Sequence, residues 1–170
     1  MLYSRVKGFE FKKAIEGIIG KQVGMILNTN TWRVTHFVIS HGMGKKAKNL
    51  IHEKYVNKFD MDNNLILLND EHEEEEIPST SKREMFMCKD FVGISVVSSD
   101  NKKIGKVTDF DMPEKLKIWK IWKIMIATGF KSRRLRISPE DIMSLGEEMV
   151  LRKTYDELFP SKEEEEEEEQ

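Results

Sequence analysis

The side chains of this 170-residue chain that are able to do chemistry are four histidines, one cysteine and a few paired acids. His36, His41, His52 and His72 fall in neither an HExxH sequence nor a Cys/His metal spacing. His36 and His41 bracket one apolar run, and their odd separation puts them on opposite faces of a strand, so they are not expected to share an ion. Structural or surface imidazoles are the expectation. Asp60-Met-Asp-Asn-Asn64 with Glu71 at the twelfth place imitates a calcium loop, but Leu65 stands where the sharp turn needs Gly, and Leu65 to Leu68 reads as a strand. Gly17-Ile-Ile-Gly-Lys21 and Gly42-Met-Gly-Lys-Lys46 lack the spacing and the Ser/Thr of a phosphate loop, and both are expected as turns. Asp109 and Asp111 have no partnered His and belong to a predicted loop, becoming same-face neighbours only if the strand before them persists. Cys88, beside Met87, reads as a small buried hydrophobe. No catalytic residue, metal ligand or cofactor follows, and the chain is not expected to be an enzyme.

Two other constellations are better suited to binding. Lys131, Arg133, Arg134 and Arg136 form a basic segment, and Lys45, Lys46 and Lys48 hold the corresponding place earlier in the chain. These cations are either a solvated rim or a phosphate-neutralising surface on which Trp119, Trp122 or Phe130 stacks unpaired bases. Trp119-Lys-Ile-Trp-Lys-Ile124 carries large groups on both faces of a presumed strand. One face meets a core; the other is either further core or a surface that a second subunit or a protein partner covers.

The elements that must position these groups are short. Charged residues make up 34% of the chain and apolar ones 39%, enough for a modest core. Every apolar run is interrupted early, as Lys120 and Lys123 interrupt Leu116 to Ala127, so no transmembrane helix is expected. With no secretory signal at the N-terminus, a cytoplasmic location is expected. The formal charge of −2 hides segregation: without the seven glutamates Glu163 to Glu169 it becomes +5. That run is expected to be a disordered tail, either solubilising or competing with other polyanions for the basic body. Asp70-Glu-His-Glu-Glu-Glu-Glu76, followed by Ile77-Pro-Ser-Thr-Ser81, reads as a linker between two small parts that must lean on each other or on another copy.

The two parts repeat one another in order and type. Gly20-Lys-Gln-Val-Gly-Met-Ile26 resembles Lys102-Lys-Ile-Gly-Lys-Val107, with Gly24 set against Gly105. Thr35 to Gly42 resembles Trp122 to Gly129, each an apolar run stopped by Gly; Leu50-Ile-His52 matches Leu135-Arg-Ile137, and Leu65-Ile-Leu-Leu68 matches Met149-Val-Leu151. The shared chemistry is that of strands bounded by Gly, Asn, Asp or Pro. Phe91 to Ser98 alternates Val92, Ile94 and Val96 on one face, and Ser98 to Lys102 turns the chain into a hairpin. Leu135 and Ile137 point opposite to Arg134 and Arg136. Ser138-Pro-Glu-Asp141 starts a short helical turn, and Arg152 to Phe159 is expected as a terminal helix.

Phe91-Val-Gly-Ile-Ser-Val-Val97, Asp100-Asn-Lys-Lys-Ile-Gly-Lys-Val107, Asp109, the strand Ile121 to Ala127, Leu135-Arg-Ile-Ser-Pro-Glu-Asp-Ile142 and Met149-Val-Leu151 together resemble the PRC-barrel family. The expected fold is therefore mainly β, with two small PRC-barrel-like β-barrels in tandem: a degenerate unit over 1–69, a linker over 70–84, a second unit with a short C-terminal helix over 85–159, and a poly-Glu tail over 160–170. The resemblance implies a non-catalytic adaptor or scaffold. Family members include a photosynthetic reaction-centre subunit, a ribosome maturation factor and archaeal proteins associated with the tubulin-like division ring, and the last group is nearest in architecture. The expected partners are proteins, including cell-division proteins, and a second copy in a homodimer, with Trp119, Trp122, Phe130, Lys131, Arg133, Arg134 and Arg136 as contacts. The alternative is an RNA-linked maturation factor for the small ribosomal subunit that uses the same basic loops.

Overall fold

The computed structural model describes residues 1–42, 48–78, 85–113, 119–129 and 133–160. Both basic loops fall largely outside this set, Lys45, Lys46, Phe130 and Lys131 included, and so does the glutamate run 163–169.

The fold is mainly β. Its first sheet holds β1 (Glu10–Lys13), β2 (Gly17–Asn28), β3 (Arg33–Ser40), β4 (Lys48–His52), β5 (Val56–Asp60), β6 (Leu65–Leu68), β7 (Glu74–Glu76) and β8 (Met85–Met87). The strands lie in the order β5-β6-β1-β2-β3-β4-β7, with β8 also paired to β2. The second sheet holds β9 (Ser95–Val97), β10 (Lys103–Asp111), β11 (Lys123–Thr128), β12 (Arg134–Ile137), β13 (Ile142–Leu145) and β14 (Glu148–Leu151). Its order, β13-β14-β9-β10-β11-β12, is that of the first sheet without β7 and β8. Within each sheet the opening strand pairs in parallel with the closing one, β1 with β6 and β9 with β14. A one-turn helix precedes each sheet, α1 (Tyr3–Val6) and α2 (Cys88–Phe91), and each is followed two residues later by a glycine of positive φ, 88° at Gly8 and 103° at Gly93. A 3-10 turn joins β4 to β5 (Glu53–Tyr55) and β12 to β13 (Pro139–Asp141). In the second turn the Asp141 carboxylate accepts the Ser138 N–H at 2.9 Å, so the expected Ser-Pro start is present.

Register refines the repeat. Phe11 faces Gly20 across β1 and β2 as Val96 faces Gly105 across β9 and β10, and both pairs adjoin an irregularity at the same step. Gly20, rather than Gly24, is thus the counterpart of Gly105. Both glycines are required by a neighbouring carbonyl: an added Cβ would sit 2.8 Å from the Ser40 oxygen at Gly20 and 1.9 Å from the Ala127 oxygen at Gly105. At Gly24 it would meet side chains and no carbonyl among its nearest atoms, the flexible Met87 Cε at 3.2 Å and Val38 Cγ2 at 3.4 Å.

Several local expectations change. Phe91 to Ser98 is not one alternating strand, because α2 ends at Phe91 and only Ser95–Val97 is extended. Gly17 to Lys21 is the start of β2 and not a turn. The terminal helix shortens to α3 (Tyr155–Leu158), since Thr154 caps it by accepting the Glu157 N–H at 3.3 Å. Asp109 and Asp111 lie in β10, which persists through them. The acidic block ends in a strand, β7, laid on the edge of β4.

The halves lean on each other. The Val34 N–H donates to the Trp119 carbonyl at 2.8 Å and the Ile121 N–H to the Trp32 carbonyl at 2.7 Å, with Arg33 opposite Lys120 between them. This exchange is reciprocal, as across a two-fold axis. Tyr3 of α1 stacks on Phe110 of β10 at 4.8 Å, and the Ser4 N–H donates to Asp109 at 3.1 Å. In the opposite sense, β8 pairs with β2, and Phe91 of α2 meets Trp32 edge-on at 5.9 Å. One apolar core, including Phe11, Phe37, Phe91, Phe110 and Trp119, runs through both sheets. A second small cluster, Ile26, Val38 and Leu50, lies under Met87.

Candidate partner-binding surface

Strand alternation decides which predicted contacts reach solvent. Leu135 and Ile137 turn inward from β12, whereas Arg134 and Arg136 are exposed, as is Arg133 just before the strand. None of these three arginines has an ion-pair partner among the described residues. Trp122, immediately before β11, is 52% exposed, and its backbone N–H donates to the Asp111 carbonyl at 3.1 Å. Trp119 is on the other side of this division. It is 1% exposed and packs edge-on against Phe59 at 4.9 Å, so it joins the halves and offers no outer surface. Phe130 and Lys131 lie outside the described residues.

Arg133 also borders an open cleft of about 950 Å³, where Lys103, Lys106, Glu148, Tyr155 and Phe159 line the walls. The α3 wall is fixed to the β9–β10 turn: the Tyr155 N–H donates to Asp100 at 2.9 Å, and the Ser98 hydroxyl donates to the same oxygen at 2.5 Å. Lys103, Lys106 and Arg133 give the cleft a basic face, interrupted by Glu148 and walled by Tyr155 and Phe159, and Arg134 and Arg136 are exposed on the neighbouring β12. Sequence reasoning missed Lys103, Lys106 and the two α3 aromatics, because only the turn of α3 back toward β10 brings them beside Arg133.

The groups first considered for chemistry have other work. Cys88 is fully buried, and burial pushes its thiol well above the ordinary range. Tyr3 is pushed up to about 12, first by burial and then by the neighbouring Cys88 and acids. Asp60 closes a turn by accepting the Asn63 N–H at 3.2 Å, and Leu65 beyond it opens β6. The histidines hold β7. His41 Nε2 meets Glu74 at 2.5 Å, Asn49 donates to Glu74 at 3.2 Å, and His36 Nε2 lies 3.7 Å from Glu75. His36 and His52 also pack edge-on at 4.9 Å.

Burial first, and the neighbouring His52 second, hold the His36 imidazole below its ordinary value against the opposing pull of Glu75. Between its ordinary and folded values the unfolded chain binds more protons, so stability must fall as pH drops through about 6.5. His36→Gln is expected to flatten stability against pH between about 7 and 5, measured by urea denaturation. Identical slopes in the two proteins would contradict this placement.

Comparison of the chain with models of known protein families and with curated proteins finds no match. No helix among the described residues is long and apolar enough to cross a membrane.

Proposed function

We propose that this chain is a non-catalytic adaptor that works through protein contacts made by Trp122, Arg133, Arg134 and Arg136. The observation that carries the reading is that Trp122, just before β11, is 52% exposed, and that the exposed arginines at and beside the adjacent β12 lack ion-pair partners among the described residues. Trp and Arg are among the side chains that most often anchor an interface, since Trp covers a large area with few rotatable bonds and Arg offers five donors in a pre-organised planar fork. The second support is architectural: the two sheets spend their inner faces on a common core, which leaves the outer walls to others. A tandem PRC-barrel identity and a setting at an archaeal division ring are proposed from the sequence resemblance, and action as a homodimer from the small size of the two halves and the exposed Trp122.

Trp122→Ala tests this reading. An exposed side chain costs within about 0.5 kcal/mol when truncated, so melting should not change, while retention of the partner by purified, nuclease-treated protein should fall at least tenfold. Unfolding of the variant, or undiminished retention, would contradict it. Arginines without ion-pair partners among the described residues also favour RNA as a rival ligand. In that case binding should weaken steeply with salt and vanish under nuclease, and the adaptor reading would fall.

A further inference from the structure

The first sheet shows what one edge of this fold accepts. Its outermost strand β4 is covered by β7, Glu-Glu-Glu, which pairs antiparallel with Asn49 to Ile51: Glu76 faces Asn49, Glu75 faces Leu50 and Glu74 faces Ile51. In the second sheet the strand at the same place is β12, and among the described residues nothing pairs with its outer edge. Matching the irregularity at Gln22/Gly24 to that at Val107/Asp109 sets His36 against Lys123, Val38 against Met125 and Leu50 against Arg136. The position from which His36 meets Glu75 is therefore held by a lysine in the second sheet, and Arg134 and Arg136 are exposed on the same face of the edge strand. Asp111, across from Lys123, is already paired with the Met1 amino group.

The backbone is also poised. Arg133 faces Thr128, and the Thr128 N–H donates to the Arg133 carbonyl at 3.1 Å. Alternation along an antiparallel pair then turns the N–H and C=O of Arg134 and Arg136 away from β11, toward the open edge. An open edge of this kind is a template for another strand.

We propose that β12 accepts an acidic, extended segment of a partner protein as an added strand, in the manner in which β4 holds β7. The inference rests on the adaptor reading and specifies the chemistry of the partner. Main-chain hydrogen bonds to Arg134 and Arg136 supply affinity, and carboxylates set over Lys123, Arg134 and Arg136 supply selectivity for acids over neutral strands.

The probe is a synthetic peptide copying residues 70–78, Asp-Glu-His-Glu-Glu-Glu-Glu-Ile-Pro, added to the full chain and followed by fluorescence anisotropy and amide hydrogen exchange. The peptide should bind, protect the Arg134 and Arg136 amides, and lose at least tenfold in affinity to an Arg134→Glu, Arg136→Glu double variant. A peptide N-methylated at alternate backbone nitrogens keeps its charge but loses the donors of a strand, and it should also bind at least tenfold more weakly. Equal binding of the methylated peptide, or of a single-stranded oligonucleotide at the same edge, would reduce β12 to a polyanion patch and overturn strand addition. Protection of both amides in the protein alone would mean that the chain's own Glu163–Glu169 takes the edge, and the partner assignment would fall. Failure of the peptide with Trp122-dependent partner retention intact removes strand addition only; failure of both removes the adaptor reading.

Discussion

Trp119→Ala is expected to lower stability by about 3–5 kcal/mol, the usual loss when a large buried aromatic is truncated. The indole is packed against Phe59, and its backbone carbonyl accepts the Val34 N–H, so the cavity opens where the two sheets meet. In a domain of this size each kcal/mol moves the melting temperature by about 2–4 °C, which predicts a fall of roughly 6–20 °C. Because one core serves both halves, a single cooperative transition should remain. Trp119→Phe should lose much less, since it keeps most of the apolar contact and removes an indole N–H that is buried with no hydrogen-bond partner. Calorimetry distinguishes these outcomes. Two separate transitions, or a Trp119→Ala protein as stable as the parent, would show that the halves are independent bodies.

Gly105→Ala is the second severe substitution. A Cβ there would stand 1.9 Å from the Ala127 oxygen, a distance that no side-chain motion relieves because both groups belong to backbone. The β10–β11 pairing must shift instead, at a cost of about 3 kcal/mol, near the upper end for overpacking. Gly24→Ala meets the flexible end of Met87 at 3.2 Å and Val38 at ordinary contact distance, and should cost less than about 1 kcal/mol. Chemical denaturation of the two variants separates the register seen in the structure from the alternative that equates Gly24 with Gly105. Equal losses at both positions would contradict the structure.

That contrast also shows how far the sequence was legible. Apolar runs stopped by Gly revealed β3 and β11, and a glycine between apolar neighbours revealed β10 and the later part of β2, which made the repetition legible. The alternation of Arg134 and Arg136 with Leu135 and Ile137 correctly predicted an arginine-bearing outer face. The Ser138-Pro-Glu-Asp141 step was equally readable, because a cap, a proline and an acid act locally. What failed was whatever depends on distant chain. Gly24 and Gly20 are both flanked by strand formers, and only pairing to β1 and β3 shows which one has a carbonyl against it. Val92 and Ile94 alternate convincingly, yet Phe91 closes α2, where it packs on Trp32 and Phe110. Tertiary packing there outweighs local β preference. The acidic block read as a linker because like charges usually stay solvated; three histidine and asparagine contacts from β3, β4 and their flank hold it as a strand. Trp119 and Trp122 are three residues apart and of the same type, so burial could be assigned to one and exposure to the other only once the two-fold exchange at Trp32 and Trp119 was seen.

The adaptor account is tested most directly by photocrosslinking in cells from a light-activated residue placed at position 122, compared with the same residue at Asn64. Asn64 lies in the turn before β6, with a φ of 55°, and takes no part in the basic face. The account predicts a discrete protein adduct from position 122 that withstands nuclease and is missing from position 64. An adduct that nuclease removes, or the same products from both positions, would contradict it.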